Sequence, residues 1–81
     1  MKIYDYKGKK NLCGQHIKEA RVRRKMTQSD LATKLQLEGI TLERDCISRI
    51  EIGTRFVTDY ELKIMAKLLR VDIEWLLSEE D

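Results

Sequence analysis

The chain has 81 residues, 42% of them hydrophobic and 37% charged, with four glycines, no proline and a net charge of +2. That length allows one small domain with a modest core, and the composition favours helices with short connections over a sandwich or barrel. No run of about 18 apolar residues occurs, so no segment reads as a membrane span.

The N-terminal stretch Met-Lys-Ile-Tyr-Asp-Tyr-Lys lacks the apolar centre of a signal peptide, and a cytoplasmic location is expected. Cys13 and Cys46 have no CxxC spacing, and His16 is the sole histidine. The expectation is two small buried thiols with no metal site and no cofactor. No nucleophile–base pair, carboxylate dyad or phosphate-cradling glycine loop is visible, so the chain does not read as an enzyme.

Residues 1–10 are basic and carry Tyr4 and Tyr6 in alternation with Ile3 and Asp5, a short strand or a flexible arm. A first helix is expected over about Leu12–Lys25, capped by Asn11, with Cys13, Ile17 and Ala20 at i, i+4 and i+7 facing the core. Its second half is crowded with cations, among them Arg21, Arg23 and Arg24, which suit the helix C-terminus. The pattern Thr27-Gln-Ser-Asp30 then reads as a capping box with Asp in place of Glu. Met26 before it is placed to staple onto Leu31. Leu31, Ala32 and Leu35 give a second helix, about Gln28–Leu37, its apolar stripe, and Gly39 stops it.

A third helix is expected over about Leu42–Ile52, closed by Gly53, with Thr41 and Glu43 as rival caps. On a helical wheel Cys46, Ile47 and Ile50 fall within an arc of about 100°, while Arg44, Asp45, Ser48 and Arg49 occupy an arc of about 140° on the other side. Thr58-Asp-Tyr-Glu61 is a full capping box for a fourth helix to about Leu69, with Leu62, Met65, Ala66 and Leu69 inward. Asp72 caps a short fifth helix, Ile73–Leu77. Trp75 reads as core rather than as a contact between copies, and an acidic end runs over residues 79–81. The domain organisation is thus a basic arm over 1–10, a helical domain over 11–78 and that end.

Charge is unevenly divided along this order. Residues 1–26 carry nine Lys or Arg against two acids, residues 27–56 four against five, and residues 57–81 three against seven. Such asymmetry points to a partner with phosphates near the N-terminal part. Helices 2 and 3, joined by a turn and each with one apolar stripe, have the arrangement of a helix-turn-helix.

The stretches "TQSDLATKL", "ISRIEIGTR" and "ELKIMAKLLRVDIEWLL" together resemble the Cro/repressor-type helix-turn-helix domain of the XRE family, over about residues 12–77. The resemblance implies an all-α, compact five-helix lambda-repressor-like fold. It also implies sequence-specific binding of double-stranded DNA in transcriptional control. Gln28 matches a glutamine that contacts the DNA backbone. Arg44, Asp45 and Arg49 match base-reading positions, with Ser48 on the same face. Arg21 and Glu51 match a structural salt bridge between the first and third helices. The chain departs from the family in three places. The connection from Leu35 to Ile47 is several residues longer, Ile52 stands where a polar or basic residue is common, and Phe56 sits in the loop after Gly53, where small or charged residues are usual.

Elementary chemistry supports those roles. A helix lying in the major groove must offer donors and acceptors, and arginine can bond O6 and N7 of guanine together. Asp45 can accept from cytosine N4 or orient Arg44 or Arg49, with Arg49, four residues on, the expected partner; the alternative is compensation of the helix N-terminus. Thr27, Gln28, Arg55 and Thr58 are candidate phosphate contacts, and Lys7, Lys9 and Lys10 are candidates for an arm over the backbone. A repressor acting as a homodimer is the expected form, since one such domain reads only a few base pairs. The acidic C-terminal part with Leu76 and Leu77 is the candidate contact. The rival reading is a protein-interaction module on the same fold, antitoxin-like or adaptor-like, with Glu43 and Asp45 as its support.

Overall fold

Thr27 and Thr58 each start a helix by the reciprocal bonding their sequences predict. Thr27 Oγ1 accepts from the Asp30 N–H at 2.9 Å while Asp30 Oδ2 accepts from the Thr27 N–H at 2.8 Å. Thr58 Oγ1 accepts from the Glu61 N–H at 3.2 Å and Glu61 Oε1 from the Thr58 N–H at 2.9 Å. These boxes open two of the five helices of the computed structural model, which describes residues 5–79. The helices are α1 (Gly14–Arg23), α2 (Gln28–Leu37), α3 (Arg44–Ile52), α4 (Asp59–Leu69) and α5 (Ile73–Leu76). No strand occurs among the described residues. Ile3 and Tyr4 of the N-terminal reading, and Glu80 and Asp81 of the acidic end, lie outside them.

Helix bounds differ from the sequence expectation where the backbone turns early. Asn11 Oδ1 does accept from the Gly14 N–H, at 2.8 Å, but regular helix begins at Gly14 rather than Leu12. At the other end Lys25 has a φ of +58°, a left-handed conformation that ends α1 before the expected Lys25. Helix α3 begins at Arg44 rather than Leu42, because Glu43 is extended. The residues between Leu37 and Arg44 therefore form a turn and do not extend α2. That turn carries its own anchors: Leu42 is buried and Ile40 is packed against the core, and the Ile40 N–H reaches the Leu35 carbonyl at 2.9 Å.

Ile17, Leu31, Leu35, Ile47, Ile50, Met65, Leu69 and Leu76 are fully buried. Each stabilises by roughly 1.5–3 kcal/mol relative to exposure. Cys13 is buried too, and burial pushes its thiol up to about 11. Leu76 has no exposed surface, so the expected contact through Leu76 and Leu77 is corrected: only Leu77 is available at the surface. Trp75 is half-buried and stacks on His16, with ring centroids 4.4 Å apart.

Residues 5–10 form a tight turn that packs onto α3. Lys7 and Gly8 both have positive φ, the twist that suits a two-residue hairpin. Tyr6 and Lys9 bridge across it, and the Lys10 N–H donates to the Gly53 carbonyl at 2.8 Å.

Candidate nucleic-acid interface

Helix α3 has a fixed back and an open front. Ile47 and Ile50 are fully buried against the core, and Glu51 is buried beside them. Gly53 closes the helix with a φ of +86°. Its Cα is covered by the Lys9 side chain, whose Cδ would lie 3.0 Å from an added Cβ. Asn11 Nδ2 donates to the Ile50 and Arg55 carbonyls at 3.0 and 2.8 Å, tying the start of α1 to the end of α3. A Cβ on Gly14 would run into the Ile50 carbonyl, so only glycine allows this approach.

Glu51 is the hub of the back face. Its Oε2 accepts from Arg21 Nε at 2.6 Å and its Oε1 from Arg21 Nη2 at 3.1 Å. Gln28 Nε2 donates to the same Oε1 at 2.9 Å. Arg21 Nη1 continues to the Met26 carbonyl at 2.7 Å. One carboxylate therefore fixes α1, the N-terminus of α2 and α3 relative to one another. The Gln28 bond was not anticipated from the sequence, because it depends on how α2 and α3 approach.

The front face carries the expected base-reading residues. Arg44 and Asp45 have side chains 65% and 72% exposed, Arg49 is exposed and Ser48 is half-buried. Ile52 is exposed in the midst of this polar arc. The expected Asp45–Arg49 pair is not formed. The cation nearest Asp45 is Arg44, with Nη1 3.8 Å from Oδ1, and Arg49 has no carboxylate partner among the described residues. The reason is local: Asp45 stands in the first turn beside Arg44, where a loose contact leaves both side chains solvated.

Among the expected phosphate contacts, Thr27 is exposed and Gln28 half-buried at the N-terminus of α2. Lys9, Gln28 and Ser48 line a shallow groove of about 830 Å³ between α1 and α3, together with Lys18 and Ile52. Lys10 Nζ is held by Asp5 at 2.6 Å and lies over the Phe56 ring, and Lys7 is held by Glu79 at 3.0 Å. Thr58 is engaged in its capping box.

Arg55 differs most from its expected role. It donates from Nη1 to Glu61 Oε1 at 3.0 Å and from Nη2 to Oε2 at 3.2 Å, and Nη1 also reaches the Phe56 carbonyl at 2.8 Å. Burial pushes the Glu61 carboxyl upward, but Arg55 and the Thr58 N–H outweigh it and hold the group below its ordinary range. The T-x-x-E box places Glu61 at a helix start. Its burial became visible only with the packing of the loop.

A turn-linked pair of helices, the second with a packed back and a polar front, defines a helix-turn-helix protein. The helix-turn-helix family matches residues 17–76. The chain belongs to that family, in its Cro/repressor-like XRE form, and its coarse class is a DNA-binding regulator. No curated protein and no solved structure matches the chain. No described helix is long and apolar enough to cross a membrane.

Proposed function

We propose that the chain is a sequence-specific repressor of transcription that binds double-stranded DNA as a pair, with α3 in the major groove. The observation that carries this reading is the division of α3 into a buried back and a front bearing Arg44, Asp45, Ser48 and Arg49. Arg44 and Arg49 read base edges in this proposal. Asp45 accepts from a cytosine amino group, and Ser48 adds an adaptable hydroxyl. The Gln28 N–H and the exposed Thr27 hydroxyl, with Lys9 beside the α1–α3 groove, contact phosphates and set the register. Lys10, Arg55 and Thr58 are secondary members of that set, each already bonded within the chain. Pairing supplies the second half-site that a single short helix cannot read.

Selection of binding sites from random duplex DNA tests this directly. The expected product is a short sequence repeated with two-fold symmetry, bound with an affinity that falls steeply as salt rises. Arg44→Ala and Arg49→Ala should each remove about 1–3 kcal/mol of discrimination. If the double variant binds the selected site as tightly as the parent, the DNA reading is wrong. The exposed acids Glu43 and Asp45 would then favour a protein-interaction module.

A further inference from the structure

A second groove, of about 680 Å³, lies between α2 and α4 and includes no residue of α3. Met26, Leu37 and Leu68 supply its apolar lining, and Leu37 is 82% exposed. Arg24, Lys25, Lys34 and Arg70 supply its positive charge. No carboxylate pairs with any of these four among the described residues, as is true also of Lys9, Lys18, Arg49 and Lys63, whereas Arg21, Arg23, Arg55 and Lys67 all have acidic partners. Lys25 and Arg70 both stand in the left-handed region, with φ of +58° and +56°. Glycine is the unstrained residue there, yet the chain keeps a cation at each. Asp30 is the carboxylate of the groove, and its Oδ2 already accepts from the Thr27 N–H.

Helix α5 presents the complement. Ile73 and Leu77, one turn apart, remain 39% and 41% exposed. Asp72 and Glu74 are exposed beside them, without a cation partner among the described residues. Arg70 and Asp72 are separated by Val71 alone, so the groove and α5 adjoin. A two-fold axis near Val71 lets each copy give its α5 and receive its partner's.

We infer that the α2–α4 groove receives the acidic, apolar face of α5 from a second copy of the chain. Ile73 and Leu77 cover the apolar lining, while Asp72 and Glu74 meet Lys34 and Arg70. This deepens the pairing in the proposed function by naming its surface, and it does not depend on α3 reading DNA.

Sedimentation velocity of the whole chain without DNA, at low salt and over a range of concentrations, tests it. The parent should show a monomer–dimer equilibrium that weakens with salt. Lys34→Glu/Arg70→Glu and Asp72→Lys/Glu74→Lys should each weaken self-association about tenfold or more, because like charges are brought together. An equimolar mixture of the two should recover the dimer, since each altered groove then meets an altered α5 of opposite charge. The four residues are exposed and Asp72 makes no side-chain cap bond, so circular dichroism should show the parent helix content. Leu37→Asp gives an independent loss through the apolar part.

A parent that stays monomeric throughout, variants that pair as tightly as the parent, or a mixture that stays monomeric would each overturn the inference. So would a groove variant that weakens DNA binding while the parent is a monomer, which would make the groove a phosphate seat. Arg44→Ala/Arg49→Ala, which tests the DNA reading, should leave the dimer constant unchanged, so the two failures are separable.

Discussion

Two arginine–glutamate pairs stand at the C-terminal end of α3, and they differ in reach and in consequence. Arg21–Glu51 joins two helices across thirty positions, with side chains 10% and 2% exposed. Arg55–Glu61 closes a loop across six positions, with side chains 29% and 5% exposed. The first carboxylate also takes a bond from Gln28, so it sets the mutual placement of three helices. The second takes a bond from the Thr58 N–H, so it sets only the entrance to α4. Matching residue types thus build the frame of the interface in one place and a local brace in the other.

Removing the centre of the first pair should have the largest effect. Glu51→Ala leaves the Arg21 guanidinium buried without its counter-charge and frees Gln28. A loss of about 3–5 kcal/mol is expected, measured by urea unfolding. A loss under about 1 kcal/mol would mean that the network adds little to the frame. Gly14→Ala probes the same junction by steric means. The new methyl meets the Ile50 carbonyl, and the cost expected from overpacking is about 1–3 kcal/mol. Its sharper readout is DNA affinity, because any shift of α3 away from α1 moves Arg44 and Arg49 as well.

Arg55→Ala should cost less, about 1–2 kcal/mol near neutral pH, since the Thr58 N–H still serves Glu61. Its pH dependence identifies the pair. Glu61 has a lowered folded-state pKa, so its contribution is present above the ordinary glutamate value of 4.5 and is lost as pH falls through the folded value. The stability gap between parent and variant should therefore close on acidification below that range. A gap that stays constant down to acid pH would assign the loss to the Phe56 carbonyl bond instead.

What could be read from the chain alone follows the range of each interaction. Both capping boxes and both ends of α2 are encoded within a few residues, and so is the inward stripe of Ile17, Leu31, Leu35, Ile47, Ile50, Met65 and Leu69. The front face of α3 was legible as a wheel pattern. The length of the α2–α3 turn was legible as an anomaly, but its shape was not, because Leu42 and Ile40 had no visible partner until the core was assembled. The burial of Glu61, the double duty of Asn11 and the Gln28–Glu51 bond were hidden for the same reason. Each is set by two segments distant in sequence meeting at one atom. The Asp45–Arg49 expectation failed in the opposite sense. Spacing allows that contact, but on an exposed face it gains too little to hold two mobile side chains together.

Arg49 provides the contrast that closes the comparison, because it is the arginine of this region with no carboxylate partner among the described residues. It is exposed on α3 one turn beyond Asp45. Arg49→Ala should therefore shift folding stability by no more than about 0.5 kcal/mol, the range of ordinary surface changes. Arg21→Ala, by contrast, should resemble Glu51→Ala. The pairing of a near-zero stability change with a loss of about tenfold or more in affinity for a selected duplex separates a reading arginine from a framing one. Thermal unfolding and duplex titration on the same preparation measure both. A stability loss for Arg49→Ala comparable to that of Arg55→Ala would show that the front of α3 is packed rather than open, and the division of the helix into back and front would fail with it.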